Sequence, residues 1–325
     1  SEKVRFGASN IAGLGLLSGD KGLEKGESLL LFPPSSGAFI SRGVALESSI
    51  VDQLDDCFET LCTQAWGLGE EEDEEEDEED SEAPPSGDAI LALFLLRARA
   101  CASGGDSAQE EARYAPYIDY LLAATDEPDG AWGWPETAIS EMLPPGLARD
   151  ARAVGDQFRA EHSALKRGPF KKFPEVFPEK DFSLDKYLWA QGVTLSRGVS
   201  LQNEESYAPD IYLLPGADLA NHASTAIFPF LPTADGGLEM TAQQAYTPGE
   251  EILISYGRKT NEALLLSYGF VPPPNIPQGS SLDLRMEGVE EGNVKGGILS
   301  ESSLQTDSLK LIEREDDGFP IVGVD

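Results

Sequence analysis

Apolar positions along this chain change their spacing several times, and each change predicts a different kind of element. Between Ser1 and Pro34, short apolar runs alternate with glycine-rich turns, the pattern of a β-hairpin or meander. From Leu46 to Trp66 the spacing becomes helical: Ile50, Val51, Leu54, Phe58, Leu61, Cys62 and Ala65 fall on one face of an amphipathic helix. Asp88 then stands where a helix cap is needed. It precedes AILALFLLRARA, which is apolar on most faces and so predicts a helix central to a bundle. Tyr114 to Leu122 and the Trp132-Gly133-Trp134-Pro135 turn continue a mostly helical middle, and a further helix is predicted over Leu147 to Leu165. His162 lies on a polar stretch of that helix and reads as a surface histidine rather than a catalyst. Phe182 to Ser200 returns to amphipathic helix, opened by Ser183 as N-cap and closed near Gly198.

The last third is punctuated more sharply. In LLPGADLANHAS (213–224), Asp218, Asn221 and His222 are embedded among apolar residues directly after an apolar run, which places them in the interior or at a cleft. Buried polar groups must be hydrogen-bonded, and on composition alone a structural network and a ligand site fit this cluster equally well. Pro248-Gly249 signals a type II turn, and Ile252, Ile254 and Tyr256 alternate as one face of a strand over 251–256. Thr260 with Glu262 starts a short helix that ends at Gly269, a residue suited to the position just past a helix end. A turn and a helix of this length bring Tyr256 and Tyr268 back near each other. Beyond Pro274, Leu304, Leu309, Leu311 and Ile312 suggest one more helix.

Composition narrows the function. The chain has 325 residues, 40% hydrophobic and 25% charged, which suits one large or two ordinary globular domains. Its net charge is −34. Part of this is local: residues 70–80 are all acidic and Glu82 follows, yet setting those twelve aside still leaves 46 acids against 24 bases. Such a surface repels phosphate backbones and argues against nucleic-acid binding; basic protein partners are better matched. The acidic run has no apolar residue to bury and is expected to be disordered over 69–87, either as a solubilising loop or as a site for a basic partner. Cys57, Cys62 and Cys101 are too few and too spread for a zinc cage or a disulfide framework, and they suggest reduced thiols in an intracellular compartment. No apolar run approaches the ~20 residues of a membrane span. With only His162 and His222 in the chain, histidine-dependent hydrolysis and metal chemistry are poorly provided for. Gly13-Leu14-Gly15-Leu16 lacks the third glycine of a dinucleotide fingerprint, since Ser18 stands there. It reads either as a turn or as a loop that lets a ligand approach the backbone.

The ordered set Gly13-Leu14-Gly15-Leu16, LALFLLRARA with YAPYIDYL, LWAQGVTLSRGVS, Asn221-His222, Gly249-Glu250-Glu251 with Tyr256, and Tyr268 resembles SET-domain protein methyltransferases of the Rubisco large-subunit methyltransferase-like class, in order from about residue 4 to residue 273. The resemblance implies an α+β fold of small β-sheets with a pseudoknot-like C-terminal segment, split by a helical insertion. It divides the chain into an N-terminal part of the SET domain (1–45), the insertion (46–180), a C-terminal part (181–274), and a linker with the shortened start of a helical substrate-binding domain (275–325). It further implies S-adenosylmethionine as cofactor, transfer of its methyl group to a lysine of a protein substrate, no metal, and a monomer. Carried over by position, Ala12 and Leu14 contact the cofactor through their backbone, and Ser196 and Arg197 line its carboxylate end. Asp218, Asn221 and His222 serve its amino and adenine groups, and Phe270 packs on it. Tyr256 is the catalytic tyrosine and Tyr268 lines the lysine channel. Two departures stand out: Ala12 replaces an acidic residue of the plant enzyme, and Ala223 replaces a serine after Asn-His. A histidine target, or a non-catalytic SET module that binds proteins, are the alternatives; the protein substrate, the number of methyl groups and the compartment, plastid or cytosol and nucleus, stay open.

Overall fold

A computed structural model describes residues 3–11, 13–34, 38–48, 50, 88–102, 110–124, 127–201 and 210–272, together with two short strands further on. The helix expected from Leu46 to Trp66 and the acidic run lie almost wholly outside the described residues.

The N-terminal alternation folds as expected into an antiparallel hairpin. Strands β1 (Val4–Ala8) and β2 (Leu14–Ser18) pair from Val4↔Ser18 to Ala8↔Leu14. The turn between them closes with the Ser9 amide on the Gly13 carbonyl at 3.0 Å, and Gly13 sits at φ 56°. Two small three-stranded antiparallel sheets accompany the hairpin. One orders β3 (Ser28–Phe32) beside β8 (Leu238–Thr241) and β7 (Phe230–Pro232); the other sets β6 (Asp210–Leu213) between β4 (Ile40–Ser41) and β5 (Gly198–Leu201). Their inward residues, among them Leu16, Phe32, Leu214, Met240 and Ile254, form one hydrophobic core.

A second core is helical. After the short helix α1 (Arg42–Leu46), helix α2 (Ala89–Ala102) buries Ala89 through Leu96 without interruption, as its all-round apolarity requires. Asp88 caps it by accepting from the Leu91 amide at 3.0 Å, and also pairs with the Arg42 guanidinium. Against α2 pack α3 (Ala115–Ala124) and α7 (Leu184–Arg197), and α5 (Pro145–Arg167) packs in turn on α7, with α4 (Glu136–Met142) and α6 (Pro169–Lys172) at the periphery. Helix α7 begins after Ser183 and ends at Gly198 as expected, although the Ser183 side chain makes no capping hydrogen bond.

His162 corrects the sequence reading. It is 6% exposed, with its ring against Phe170 and Tyr187 and Nε2 2.9 Å from the Phe182 carbonyl oxygen. The step from Val154 through Phe158 to His162 keeps one face of α5 turned inward, and Glu161 beside it is buried as well, accepting from the Tyr187 hydroxyl at 3.0 Å. Burial pushes the Glu161 carboxyl up, against the pull of Gln157 and Tyr187.

The expected strand over 251–256 is also altered. Leu17 bridges Glu251 antiparallel, whereas His222 bridges Ile254 parallel. The segment thus changes partner halfway, with the Ile252 amide on the Leu16 carbonyl (2.7 Å) and the Ile254 amide on the Asn221 carbonyl (2.9 Å), so no continuous ladder forms. Past Pro274, Leu309–Ile312 and Ile321–Val324 pair as an antiparallel ribbon (β9 and β10) where a helix was expected.

The final helix, α8 (Asn261–Tyr268), carries both predicted caps. Thr260 Oγ1 accepts from the Ala263 amide at 3.2 Å, and Gly269 adopts the left-handed conformation at φ 78°. Two glycine contacts fasten α8 to the helical core: a Cβ on Gly269 would lie 2.1 Å from the Asp129 carbonyl oxygen, and one on Gly130 would lie 2.1 Å from that of Leu266. Gly269→Ala therefore combines a steric clash with a backbone conformation that alanine resists. It is expected to cost more than about 1 kcal/mol. Gly26→Ala, at φ 83° with open space around it, carries only the conformational part. Thermal melts of the two variants should show the larger fall for Gly269→Ala.

Candidate active site

The residues that bring chemistry together sit where the hairpin, α7 and the chain before and after α8 converge. A cavity of about 580 Å³ is lined by Gly13 and Leu14 from the hairpin, Ser196 and Arg197 from the end of α7, Asp218, Leu219 and Asn221, Tyr256, and Tyr268 and Phe270 around the end of α8. A second cavity of about 430 Å³ shares Ser196, Arg197, Asp218, Tyr256 and Tyr268 with the first. Its remaining wall is mostly apolar, including Val199, Ala217, Ala220, Phe228, Phe230 and Ile254, with Lys259 among the polar exceptions. Tyr256 and Tyr268 thus stand between two spaces, their rings stacked with centroids 5.0 Å apart.

Each wall is held by a named contact. Asn221 Nδ2 lies within donating distance of Glu251 Oε1 (2.8 Å), Ser9 Oγ (3.0 Å) and the Leu14 carbonyl oxygen (3.2 Å). Ser9 Oγ donates to Glu251 at 2.6 Å and accepts from the Ile11 amide at 2.8 Å. This knot draws the glycine-rich turn, distant in sequence, onto the 221 segment. Gly15 lies close under it: a Cβ there would meet Glu251 Oε1 at 2.6 Å and press on the knot.

Asp218 is the most enclosed charge of the site. Its carboxylate accepts from the Tyr117 hydroxyl at 2.9 Å and from the Gly216 amide at 2.9 Å, and Arg197 lies 3.5 Å away. Burial pushes this carboxyl up, while Arg197, Tyr117 and Gly216 hold it down. Arg197 keeps its charge: burial opposes it, but Asp218 and the Tyr120 and Tyr117 hydroxyls raise its pKa further. Ser196 Oγ donates to Asp129 Oδ2 at 3.0 Å.

Tyr256 is fixed at both ends. Its hydroxyl donates to the Ala220 carbonyl oxygen at 2.9 Å, and its amide donates to His222 Nδ1 at 3.2 Å. The second contact makes Nδ1 an acceptor and leaves the imidazole proton on Nε2. Burial lowers the His222 pKa, and the charge of Lys259 lowers it further against the backbone contact at Ile254, so the ring is neutral. Burial raises Tyr256 strongly and Tyr268 to about 12, which keeps both hydroxyls protonated at neutral pH. His222, Tyr256, Tyr268 and Phe270 form an aromatic cluster with centroid separations from 5.0 to 6.3 Å. Neutral aromatic faces beside ordered oxygen dipoles suit a cationic ligand.

Of the residues singled out from sequence, Leu14, Ser196, Arg197, Asp218, Asn221, Tyr256, Tyr268 and Phe270 all line the first cavity. Ala12 lies outside the described residues. His222 lines neither cavity and stands behind Tyr256. Sequence reasoning missed Tyr120, Ala123, Ala124 and Asp129, which the helical core contributes to the same wall. The signal was the Tyr117–Tyr120 spacing on α3, which turns two hydroxyls to one face; their rings stack at 6.2 Å.

No family model matches the chain. Curated relatives include the tobacco (Nicotiana tabacum) ribulose-1,5 bisphosphate carboxylase/oxygenase large subunit N-methyltransferase, 25% identical over 213 residues, covering 62% of this chain and 40% of the relative. The actin-histidine N-methyltransferase of Drosophila melanogaster is 36% identical over 94 residues, covering 27% and 18%, and the human N-lysine methyltransferase SETD6 is 26% identical over 232 residues, covering 62% and 48%. The solved SET domain of LSMT bound to lysine and AdoHcy superposes with a TM-score of 0.60 at 21% identity, covering 84% of this chain and 54% of that one. The fold is the SET fold. Within it, the chain is similar to the Rubisco large-subunit, N-lysine and actin-histidine methyltransferases named above, and it spans about half or less of the length of these relatives. Among the described residues, no helix is long and apolar enough to cross a membrane.

Two outcomes are expected. Tyr117→Phe leaves the buried Asp218 carboxylate one donor short and should cost about 1–3 kcal/mol in denaturant unfolding. For His222, the folded pKa lies below the unfolded one, so its contribution to stability is present above about pH 6.5 and is lost as pH falls through the depressed value. His222→Asn cannot take up that proton, and its melting temperature should fall less steeply than the wild type's on acidification.

Proposed function

We propose that the chain is an S-adenosylmethionine-dependent protein methyltransferase whose acceptor is a lysine side chain. The observation that carries this reading is the pair of cavities meeting at Tyr256 and Tyr268 within a SET fold. The larger space suits the cofactor by its donor set: Arg197 for a carboxylate, Asp218 and the Asn221 side chain for polar groups, and Phe270 with the tyrosines for apolar and cationic parts. When bound there, S-adenosylmethionine supplies an electrophilic methyl group on a sulfonium.

The protein's own residues then act chiefly by positioning, since an in-line methyl transfer has no demanding proton step. Leu14 and Asn221 form one wall of the cofactor space, and Arg197 holds a carboxylate. Tyr256 and Tyr268, kept neutral by burial, orient the incoming amine without adding charge. The apolar wall of the smaller cavity removes water from that amine and favours its uncharged, nucleophilic form. His222, held behind Tyr256, acts through that ring as a positioning residue.

Lysine is preferred over histidine because Val199, Ala217, Ala220, Phe228, Phe230 and Ile254 suit an aliphatic stem. Histidine remains the second reading, because the actin-histidine enzymes are among the chain's relatives. The protein substrate is proposed to be basic, to match the net charge of −34.

Calorimetry with S-adenosylmethionine should detect binding, and Asn221→Ala should weaken it about tenfold by removing contacts worth ~1–3 kcal/mol. No binding would leave a protein-docking SET module as the better account. Tyr256→Phe should keep cofactor affinity but lower label transfer into lysate proteins by about 100-fold, the loss typical of one oriented hydroxyl or oxyanion donor. Full activity in that variant would remove Tyr256 from the catalytic role, and mass spectrometry of the labelled residue separates lysine from histidine.

A further inference from the structure

We infer that Lys259 is an internal methyl acceptor, its ε-amine receiving a methyl group from S-adenosylmethionine bound to the same molecule. The inference rests on the methyltransferase reading above and goes beyond it by naming a modification site in the chain itself.

Lys259 follows Tyr256 by three residues and lies on the wall of the smaller cavity, the space assigned to the acceptor. Its side chain is half-buried and its Nζ stands 5.9 Å from the centroid of the Tyr268 ring, which in turn stacks on Tyr256. A lysine in an acceptor space, over the ring that lines it, has the chemistry of the substrate proposed for that space. Just before Lys259, Gly257 holds φ 97° with nothing within 4 Å of where a Cβ would lie, and Arg258 is exposed.

The local electrostatics favour the reactive form. Burial lowers the Lys259 pKa, which enlarges the neutral fraction of the amine. Among the described residues, the titratable groups that line or back the two cavities hold the states already given. His222 is neutral, Tyr256 and Tyr268 are protonated phenols, and Asp218 on the shared wall is engaged by Tyr117, Gly216 and Arg197. In the transfer, the Nζ lone pair forms the new N–C bond as the methyl carbon–sulfur bond breaks. The bonding pair leaves with sulfur as a neutral thioether, and the methylated ammonium releases one proton to water.

Two measurements test the inference. Without cofactor, the pH dependence of acetylation by acetic anhydride, resolved lysine by lysine by peptide mass spectrometry, should show Lys259 reacting at lower pH than the exposed Lys180 or Lys171. An ordinary lysine profile at Lys259 overturns the inference. With S-adenosylmethionine and no other protein, chymotryptic peptides should carry a 14 Da increment at Lys259. The fraction modified per unit time should be independent of protein concentration, and the mark should be lost in Lys259→Arg. A parallel reaction in lysate separates the two claims. Labelled lysate proteins with Lys259 unmodified overturn the internal acceptor alone, whereas no label anywhere and no cofactor binding overturn the methyltransferase reading with it.

Discussion

One side-chain amide holds the site together. Asn221 Nδ2 meets Ser9, Leu14 and Glu251, positions separated from it by 212, 207 and 30 residues. Two amide hydrogens are shared among three acceptors in a partly buried setting, where an unmet polar group costs about 1–3 kcal/mol. The glycine-rich turn therefore has one place to go. Without this knot the hairpin would still form from its own ladder, but nothing among these contacts would close the larger cavity at Leu14. The same segment passes its backbone carbonyl to Ile254, so the turn, the Asn-His pair and the approach to Tyr256 share one set of hydrogen bonds.

The helical part is more than a support. Asp129 receives Ser196, Tyr117 receives Asp218, and Tyr120 lines the cavity beside Arg197. The close glycine contacts at Gly130 and Gly269 set α8, and with it Tyr268, against the same loop. Electrostatically the site keeps the enclosed Asp218 carboxylate beside Arg197 and its aromatic residues neutral. That division leaves the aromatic cluster able to face a cation without a competing charge at its centre.

Much of this was legible along the chain, for local reasons. Thr260 and Gly269 announced α8 because caps are chosen by the backbone groups next to them, and the proximity of Tyr256 to Tyr268 followed from the turn and the helix length. Asp88 and the all-apolar α2 were equally direct. His162 was not legible, since its burial depends on Phe170, Phe182 and Tyr187, which arrive from other elements. Nor was the broken strand at 251–254, whose alternation is that of a strand while its partners differ at each end. Tyr120 and Asp129 went unrecognised because the Tyr117–Tyr120 spacing marks only a shared helix face, while their place on the cavity wall depends on Ser196, Arg197 and Asp218, which they meet from other elements.

By itself the sequence determined the periodic elements, the caps, the tyrosine pair and the polar cluster among apolar residues, because each depends on interactions within a few residues. The tertiary structure decided that a turn near residue 13, a helix end near residue 196 and the tyrosine helix share one wall, and that Lys259 faces the smaller cavity. Those outcomes rest on hydrogen bonds across 200 residues and more and on backbone contacts that only glycine permits, and neither leaves a local pattern to read.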